Sequence, residues 1–431
     1  MASENAQTAA QGGLETLGAR DAALLESYSA VHMNVFGTPL RVMDHAKGAR
    51  IWDVDGNEYL DFLAGIAVNS LGYGHPAWIK ALTEQASKVA HTSNYFATVP
   101  QITLAGKLIE KAGAPEGSLV YFGNSGAEGN EAAIKFAKLH GNTMENNTGK
   151  PARVLALTHG FHGRTLGALS VTWKPTIREQ FGPLVPGAEF VESGNIDALR
   201  AAFAASDERG PVAAIIMELI QGEAGVLPVG PEFVRAARQL CDEYGSMLII
   251  DEVQTGIGRT GEWFAFQRED LSGGVTPDAI TFAKGVAGGF PMGGLITFGK
   301  RNSSLFTPGS HGSTFAGNPL GCACGVATLD TIESEGLIAN AEERGAQLRD
   351  ALEHCGNPLF ASVRGRGLLD AIVLKHPCAH AAANWALEHG LIVNPVAPGA
   401  LRMAPPLIIT AQDVDQAVEV LAAIPDDLPD D

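Results

Sequence analysis

Short apolar runs alternate with amphipathic stretches through the middle of the chain, from about residue 100 to about residue 325. The apolar runs predict strands over residues 119–122, 154–157, 212–217, 247–250, 279–282 and 294–298. Between these runs, apolar residues recur at helical spacing over residues 127–140 and 232–244. Regular alternation of strands and helices predicts an α/β fold, with a mostly parallel sheet covered by helices on both faces.

The two ends of the chain show other patterns. Residues 49–60 predict a β-hairpin with the turn Asp55-Gly56-Asn57 between alternating apolar residues. After residue 325, amphipathic helices are predicted over residues 342–353, 381–388 and 412–421, with short strands between them. We therefore expect a flexible tail over residues 1–20 and a large domain over residues 86–325. A smaller domain would combine residues 21–85 with residues 326–431.

Composition narrows the class of protein. A chain of 431 residues with 45% hydrophobic residues and 51 glycines is typical of a compact, turn-rich enzyme with two domains. The formal net charge of −18 argues against nucleic acid and anionic membranes as main partners. The five cysteines have no metal-binding or disulfide spacing, and the polar N-terminus has no signal-peptide core, so we expect a soluble, cytoplasmic protein without a metal.

Two charged residues stand at the ends of predicted strands. Asp251 directly follows the run 247–250, and Lys284 follows the run 279–282 after one alanine. A buried carboxylate and a buried ammonium are unfavourable unless something uses them. Pyridoxal 5'-phosphate requires this pair, a lysine amine for a Schiff base and an acid that keeps the pyridine nitrogen protonated. Either residue alone could be a cap or a solvent-directed side chain, but together they predict a site for this cofactor.

A possible phosphate site opens the helix predicted over residues 127–140. Ser125 and Glu128 match a capping box, and the small residues Gly126 and Ala127 leave backbone N–H groups accessible to an anion. An ordinary capped helix remains the alternative. The pattern is neither a dinucleotide fingerprint nor an ATP-binding loop, which disfavours a nicotinamide dehydrogenase.

Other side chains near strand ends could contact a cofactor or a substrate. Phe161 could stack on a planar ring, and Arg164 could bind a carboxylate, while His162 is interpreted as a hydrogen-bonded wall residue rather than a general base. Arg402 has apolar neighbours and needs a partner if it is buried, for which Glu223 is the candidate.

Seven motifs in chain order resemble those of the class III pyridoxal-phosphate-dependent aminotransferases of fold type I. They are Asn124-Ser125-Gly126-Ala127-Glu128, Phe161-His162-Gly163-Arg164-Thr165, Gln221-Gly222-Glu223-Ala224-Gly225, the run 251–261, Phe282-Ala283-Lys284-Gly285, His311-Gly312-Ser313-Thr314-Phe315 and Leu401-Arg402. The resemblance runs from about residue 31 to about residue 421. It implies a large domain with a seven-stranded sheet, a smaller α/β domain built from both termini, and a homodimer with active sites at the subunit interface. Phe282 and Gly129 are mild departures from the family pattern.

The resemblance also implies a role for each matching residue. Lys284 would bind the cofactor and shuttle a proton, Asp251 would hold the ring nitrogen, and Gln254 would hold the ring hydroxyl oxygen. The implied phosphate contacts are Ser125, Gly126, Ala127 and, from the neighbouring subunit, Thr314, with Phe161 stacked on the ring. The implied substrate contacts are Arg164, Arg402 and Ser313, with Glu223 pairing with Arg402 in one half-reaction and swinging aside in the other.

The reaction implied is a ping-pong exchange between two small molecules. The terminal amino group of N-acetylornithine would pass to 2-oxoglutarate, giving N-acetylglutamate semialdehyde and glutamate in arginine biosynthesis. Ornithine, 4-aminobutyrate, succinylornithine and succinyl-diaminopimelate remain open as amino donors, whereas a glutamate-semialdehyde aminomutase does not need the second carboxylate contact. From a different class, a non-catalytic protein that binds a phosphorylated metabolite remains an alternative, although Lys284 and Asp251 together argue against it.

Overall fold

The computed structural model describes residues 18–144, 149–397 and 399–431. The chain divides into a terminal unit, which comprises the described residues up to His75 together with Ala339–Asp431, and a central unit, Pro76–Ile338. The predicted large domain was shorter, 86–325. The helices Pro76–Ala86 and Pro319–Ser334 pack against each other, so both belong to the central unit. Of the predicted tail, residues 1–17 lie outside the described residues.

The strands are β1 (Met43–Lys47), β2 (Arg50–Asp53), β3 (Glu58–Asp61), β4 (Leu119–Gly123), β5 (Arg153–Leu157), β6 (Ala188–Val191), β7 (Val212–Met217), β8 (Ile220–Gln221), β9 (Leu227–Pro228), β10 (Met247–Asp251), β11 (Ala279–Phe282), β12 (Gly293–Thr297), β13 (Phe360–Arg366), β14 (Leu369–Leu374), β15 (Leu391–Ile392), β16 (Asn394–Ala397) and β17 (Ala400–Met403). The α-helices are α1 (Ala19–Val31), α2 (Pro76–Ala86), α3 (Val99–Lys111), α4 (Gly126–Thr143), α5 (Leu166–Ser170), α6 (Pro175–Arg178), α7 (Ile196–Ala204), α8 (Ser206–Arg209), α9 (Pro231–Tyr244), α10 (Glu269–Ser272), α11 (Gly299–Ser303), α12 (Pro319–Ser334), α13 (Leu337–His354), α14 (Ala379–Glu388) and α15 (Ala411–Ala422). One further short turn, Ala64–Ala67, has left-handed backbone angles.

A seven-stranded sheet with the order β4-β12-β11-β10-β7-β5-β6 forms the centre of the central unit. Strands β5, β6, β7, β10 and β11 are parallel, and β12 runs antiparallel to both of its neighbours. This arrangement confirms the predicted α/β fold with a mostly parallel sheet. The strands β7 and β10 are buried along their whole length, which explains why their sequences read as unbroken apolar runs.

Helix α4 packs on the sheet and contributes Ile134 and Phe136 to a core that includes Ile216, Ile249 and Leu295. The helix approaches β12 so closely that a Cβ atom on Gly129 would lie 2.6 Å from the carbonyl oxygen of Gly294. Only glycine fits there.

Phe282 occupies space beside the same strand. A Cβ atom on Gly294 would lie 2.7 Å from Cζ of the Phe282 ring. The two departures from the family pattern, Gly129 and Phe282, therefore both lie against Gly294. The missing side chain of Gly129 lets the helix approach the Gly294 backbone, and the missing side chain of Gly294 makes room for the Phe282 ring.

The terminal unit contains two small sheets, with the orders β1-β2-β3-β15 and β13-β14-β17-β16. The predicted hairpin is confirmed, because β2 and β3 pair antiparallel and Gly56 adopts a positive φ of 88° in the turn. Asp53 Oδ1 stabilises the turn by accepting the N–H groups of Asp55 at 3.0 Å and Asn57 at 2.8 Å. In the described part of the chain, none of the helices has the length and apolar character needed to cross a membrane.

Candidate active site

Charged side chains collect beyond the carboxyl ends of the parallel strands in the central unit. Asp251 is the last residue of β10, Glu218 follows β7, and Lys284 lies two residues beyond β11. Strands β10 and β11 are neighbours, with Asp251 opposite Thr281. Because parallel strands end at one edge of a sheet, this edge is where an α/β fold of this kind binds its ligand.

Asp251 is only 2% exposed, and three groups hold its carboxylate. Oδ2 accepts a hydrogen bond from Nδ1 of His162 at 2.7 Å and another from Nδ2 of Asn130 at 2.8 Å, while Oδ1 accepts from the N–H of Val253 at 3.0 Å. Burial acts to raise the pKa of Asp251, but the hydrogen bond and charge of His162, with the other donors, lower it overall. The site therefore keeps one buried carboxylate ionised, as a protonated ring nitrogen requires.

His162, the hydrogen-bond partner of Asp251, is itself buried. Its backbone N–H donates to Oγ1 of Thr172 at 2.9 Å, and its backbone carbonyl accepts from Nδ2 of Asn130 at 2.7 Å. Burial acts to lower the pKa of His162, yet the hydrogen bond and charge of Asp251 outweigh it and raise the pKa. His162 is therefore hydrogen-bonded, as predicted, and its place in the wall of a cofactor site stays a prediction.

The start of α4 has the cap that the sequence predicted. Ser125 Oγ accepts the N–H of Glu128 at 3.2 Å. The Glu128 carboxylate, however, accepts the backbone N–H of Asn124 at 2.6 Å and its Nδ2 at 2.8 Å, so it reaches one residue further back than in a capping box. The first N–H groups of a helix have no partner within it, and the helix dipole favours an anion there. Gly126 and Ala127 are half-buried in this turn.

Three segments meet at Gly126. A Cβ atom built there would lie 2.7 Å from Cγ1 of Val253 and 3.5 Å from Cβ of Ala283. Val253 comes two residues after Asp251, and Ala283 directly precedes Lys284. The helix start therefore contacts both the segment that carries Asp251 and the segment that carries Lys284, which is the arrangement that the predicted cofactor site calls for.

The loop that carries Phe161 lies beside the same helix start, since a Cβ atom on Gly163 would be 2.9 Å from Cβ of Ala127. Phe161 is half-buried, and the guanidinium carbon of Arg164 lies 5.9 Å from its ring centroid. Lys284 itself is half-buried and has a φ of +42°. Such a backbone conformation is uncommon for a residue other than glycine, and functional sites concentrate strain of this kind.

The other predicted cofactor and substrate contacts differ in how exposed they are. Gln254 is buried, Glu223 is half-buried in a 3-10 turn over Gly222–Ala224, and Thr314 is exposed. Ser313 Oγ accepts from Nδ2 of Asn124 at 3.0 Å, which places Ser313 beside the start of α4.

Arg402 lies on β17 in the terminal unit. It is 1% exposed, and its Nη2 donates to Oδ1 of Asn394 at 2.5 Å. The partner seen here is therefore the neutral amide of Asn394. The pairing of Arg402 with Glu223 stays a prediction.

Two buried glutamates of this edge were given no role from the sequence. Glu218 accepts two backbone N–H groups, and burial raises its pKa to about 7. Glu252 accepts from Oγ1 of Thr255 and from the N–H groups of Ala265 at 3.0 Å and Phe266 at 2.8 Å, and burial raises its pKa to about 7 as well. The signal that could have identified Glu218 is the one that pointed to Asp251, an acid directly after an unbroken apolar strand. Among the described residues, no group of His, Cys, Asp or Glu side chains is arranged to hold a metal ion.

Comparison with known proteins decides the family. Residues 32–424 match the family described as aminotransferase class-III. The chain belongs to the class III aminotransferases.

Individual relatives and solved structures agree with this family. The chain is 70% identical over 425 residues to a protein named acetylornithine aminotransferase from Bifidobacterium longum (strain NCC 2705), which covers 97% of this chain and 99% of that protein. A solved ornithine aminotransferase from Toxoplasma gondii, with partial occupancy of PLP at its active site, superposes with a TM-score of 0.85 at 32% identity, over 96% of this chain and 95% of that one. An N-acetylornithine aminotransferase structure from Stenotrophomonas maltophilia K279a gives a TM-score of 0.77 at 32% identity, over 92% and 97%. The predicted cofactor and enzyme class are confirmed, and this class III aminotransferase is a pyridoxal-phosphate-dependent transaminase.

Proposed function

We propose that this class III aminotransferase transfers the terminal amino group of N-acetylornithine to 2-oxoglutarate. The products would be N-acetylglutamate semialdehyde and glutamate, in a ping-pong reaction of arginine biosynthesis. The observation that carries the proposal is the meeting of the Asp251, Gly126 and Lys284 segments in a chain that is 70% identical to a protein named acetylornithine aminotransferase. The five cysteines, all free, support a reducing, cytoplasmic setting.

The cofactor supplies a ring that withdraws electrons from the substrate carbon, and the protein supplies the groups that hold it. The N–H groups of Ser125, Gly126 and Ala127 would bind its phosphate at the positive end of α4. Phe161 would cover one face of the ring, and Gln254 would donate to the ring hydroxyl oxygen.

Asp251 and Lys284 would act on opposite parts of the same ring system. Asp251 would keep the ring nitrogen protonated, because its own pKa is lowered and it stays ionised. Lys284 would bind the cofactor through its amine, and would then remove and return the proton at the amine-bearing carbon of the substrate.

The substrate carboxylates call for cationic contacts. Arg164 is exposed beside Phe161, and we propose that it binds the α-carboxylate of the amino donor and the distal carboxylate of 2-oxoglutarate. Arg402 would bind the second carboxylate of 2-oxoglutarate. Ser313 and Glu223 would complete the substrate contacts.

An exposed apolar cluster in the central unit supports a homodimer. Its five side chains are 56% to 93% exposed: Tyr95, Phe96, Val99, Ile102 and Phe315. Large apolar side chains that are exposed as a group, rather than singly, indicate a surface that binds another protein.

Two hydrogen bonds join the segments that carry the apolar cluster into one surface. Nδ2 of Asn94 donates to the carbonyl oxygen of Ala316 at 3.0 Å, and Nδ2 of Asn318 donates to that of Ala90 at 3.1 Å. We propose that a second copy of the chain covers this surface, and that the exposed Thr314 then contacts the phosphate in the partner's active site.

The decisive experiment compares amino donors in the first half-reaction. Purified enzyme with bound cofactor is mixed with acetylornithine, succinylornithine, ornithine or 4-aminobutyrate, and the rate of change of the cofactor's visible absorbance is followed. Acetylornithine should react fastest. A faster reaction with ornithine, which the similarity to the Toxoplasma enzyme makes the second candidate, would contradict the proposed donor.

Removal of the lysine distinguishes the enzyme from a binding protein. Lys284→Ala should abolish the visible absorbance of the covalently held cofactor and lower turnover by at least about 10³-fold, since both the covalent link and the proton carrier are lost. Lys300→Ala, an exposed position at the start of α11, should leave both unchanged. Retained turnover in the Lys284 variant would refute the assignment.

A further inference from the structure

One buried carboxyl group connects two loops of the active site. Glu218 comes directly after β7 and is 6% exposed. Its Oε2 accepts the backbone N–H of Phe161 at 2.9 Å, and its Oε1 accepts the backbone N–H of Gly222 at 3.3 Å. Each oxygen thus binds one amide from a different loop.

Both amides are next to proposed cofactor contacts. Phe161 is the proposed ring cover, and Gly222 begins the turn that follows β8. A Cβ atom on Gly222 would lie 1.9 Å from Oε1 of Gln254, so the backbone of this loop lies directly against the side chain proposed for the ring hydroxyl oxygen. Nε2 of Gln221 donates to the carbonyl oxygen of Thr158 at 2.8 Å and joins the same two loops a second time.

The two backbone N–H groups of Phe161 and Gly222 need two acceptor atoms on the side chain at position 218. A carboxylate accepts on both oxygens, whereas the amide of glutamine has one acceptor and would turn its NH₂ group towards an N–H. Burial raises the pKa of Glu218 to about 7, against the opposing charge of His162 and with that of Asp251. The protein therefore keeps the Glu218 carboxyl group at a position where its burial is unfavourable. What the carboxyl group contributes in return is its two hydrogen bonds from backbone N–H groups.

We propose that Glu218 is a positioning residue that holds the Phe161 loop and the Gly222–Gln254 contact at a fixed separation, and so determines how tightly the cofactor ring is held. The inference rests on the proposed roles of Phe161 and Gln254 at the ring. Glu218 acts through the two loops rather than by touching cofactor or substrate. Loops that are already in place lose less freedom when the cofactor binds, so the affinity for the cofactor should depend on Glu218.

Two variants separate the number of acceptors from the shape of the side chain. Glu218→Gln keeps the shape and loses one acceptor, while Glu218→Asp keeps both acceptors on a shorter side chain. Cofactor-free enzyme is titrated with pyridoxal phosphate, and the dissociation constant and the visible circular dichroism of the bound cofactor are recorded. We expect binding to be about tenfold weaker for Glu218→Gln, with a smaller dichroic signal, and an intermediate result for Glu218→Asp.

A control variant reports general destabilisation. Asp278 lies at the opposite ends of the strands, where Oδ2 accepts the N–H of Leu248 at 2.8 Å and pairs with Arg238 at 2.7 Å. Asp278→Asn should lower the melting temperature and leave the dissociation constant and the dichroism unchanged.

Each outcome bears on the inference. Wild-type affinity and dichroism in Glu218→Gln, or weaker binding in Glu218→Asp than in Glu218→Gln, would overturn it, because shape alone would then matter. If Glu218→Gln does not fold, an unchanged dissociation constant in Glu218→Asp overturns it and a raised one supports it. A wild-type protein that binds no pyridoxal phosphate would instead refute the proposed cofactor contacts, and the inference with them.

Discussion

Replacing Glu252 with glutamine should change how folding stability depends on pH. Glu252 is 1% exposed, and burial raises its pKa from the ordinary 4.5 to about 7. The folded protein therefore binds this proton more tightly than the unfolded chain. The sign follows: in the wild type, this group lowers the free energy of unfolding as pH rises from about 4.5 to about 7, and the loss is complete above that range.

The size of the effect follows from the same two pKa values. The complete loss is about 3 kcal/mol, and about 1 kcal/mol of it falls between pH 6 and pH 8. Glutamine carries no titrating proton, so the variant lacks this dependence. Its lost hydrogen bond to Thr255, Ala265 or Phe266 changes stability by a constant amount at every pH. The informative quantity is therefore how the difference in unfolding free energy between variant and wild type changes with pH. The size of that difference at any single pH is not informative.

The measurement is urea unfolding of cofactor-free Glu252→Gln and wild type at equal concentration and at pH 6, 7 and 8, all above the pI of about 5.1. The difference in unfolding free energy should shift by about 1 kcal/mol in favour of the variant between pH 6 and pH 8. Glu388→Gln, an exposed position at the end of α14, should show no such shift. A constant difference for Glu252→Gln would refute the reasoning from burial.

Three further variants test the site and the assembly. Asp251→Asn should lower turnover by about 10²- to 10⁴-fold with cofactor still bound, because the ring nitrogen loses its anionic partner; near-wild-type turnover would count against the assignment. Arg402→Ala should slow the 2-oxoglutarate half-reaction at least about tenfold more than the acetylornithine half-reaction in single-turnover measurements, because only 2-oxoglutarate offers it a second carboxylate; equal losses would exclude this role. Ile102→Asp should shift the mass seen by light scattering from dimer to monomer and weaken cofactor binding, because a charge would be buried in the proposed interface; a stable dimer would move the interface elsewhere.

The strands of the central sheet could be predicted because they are buried on both faces. The run at β7 is wholly apolar, the run at β10 is apolar up to Asp251, and Thr281 is the one polar residue in β11. Charged residues at or just after these runs mark where the strands end. Helix α4 was predictable from Ser125, whose side chain caps it as expected. In these cases a short stretch of sequence is sufficient for the prediction, since neighbouring residues indicate both the element and one of its ends.

Elements whose sequences carry mixed signals were missed. Strand β6, Ala188–Val191, contains a glutamate, and no run of apolar residues marks it. Helices α3 and α12 contribute to packing within the central unit, but Gly and Pro residues weaken their helical pattern. The antiparallel direction of β12 depends on its pairing with β4 and β11, which no local pattern encodes.

The chemistry of the site could likewise be predicted only in part. The sequence identifies which residues can carry a charge, but not how neighbouring acids change one another's pKa. Glu218, Asp251 and Glu252 are three buried acids at one sheet edge. Burial, joined by the charge of Asp251, raises the pKa of both glutamates, whereas the hydrogen bond from His162 helps to lower the pKa of Asp251. Below about pH 7 the negative charge is therefore concentrated on Asp251, and the protonation states of the two glutamates depend on it. It follows that neutralising Asp251 should lower the pKa of Glu218 and Glu252, so the charge at this edge would be redistributed rather than simply removed.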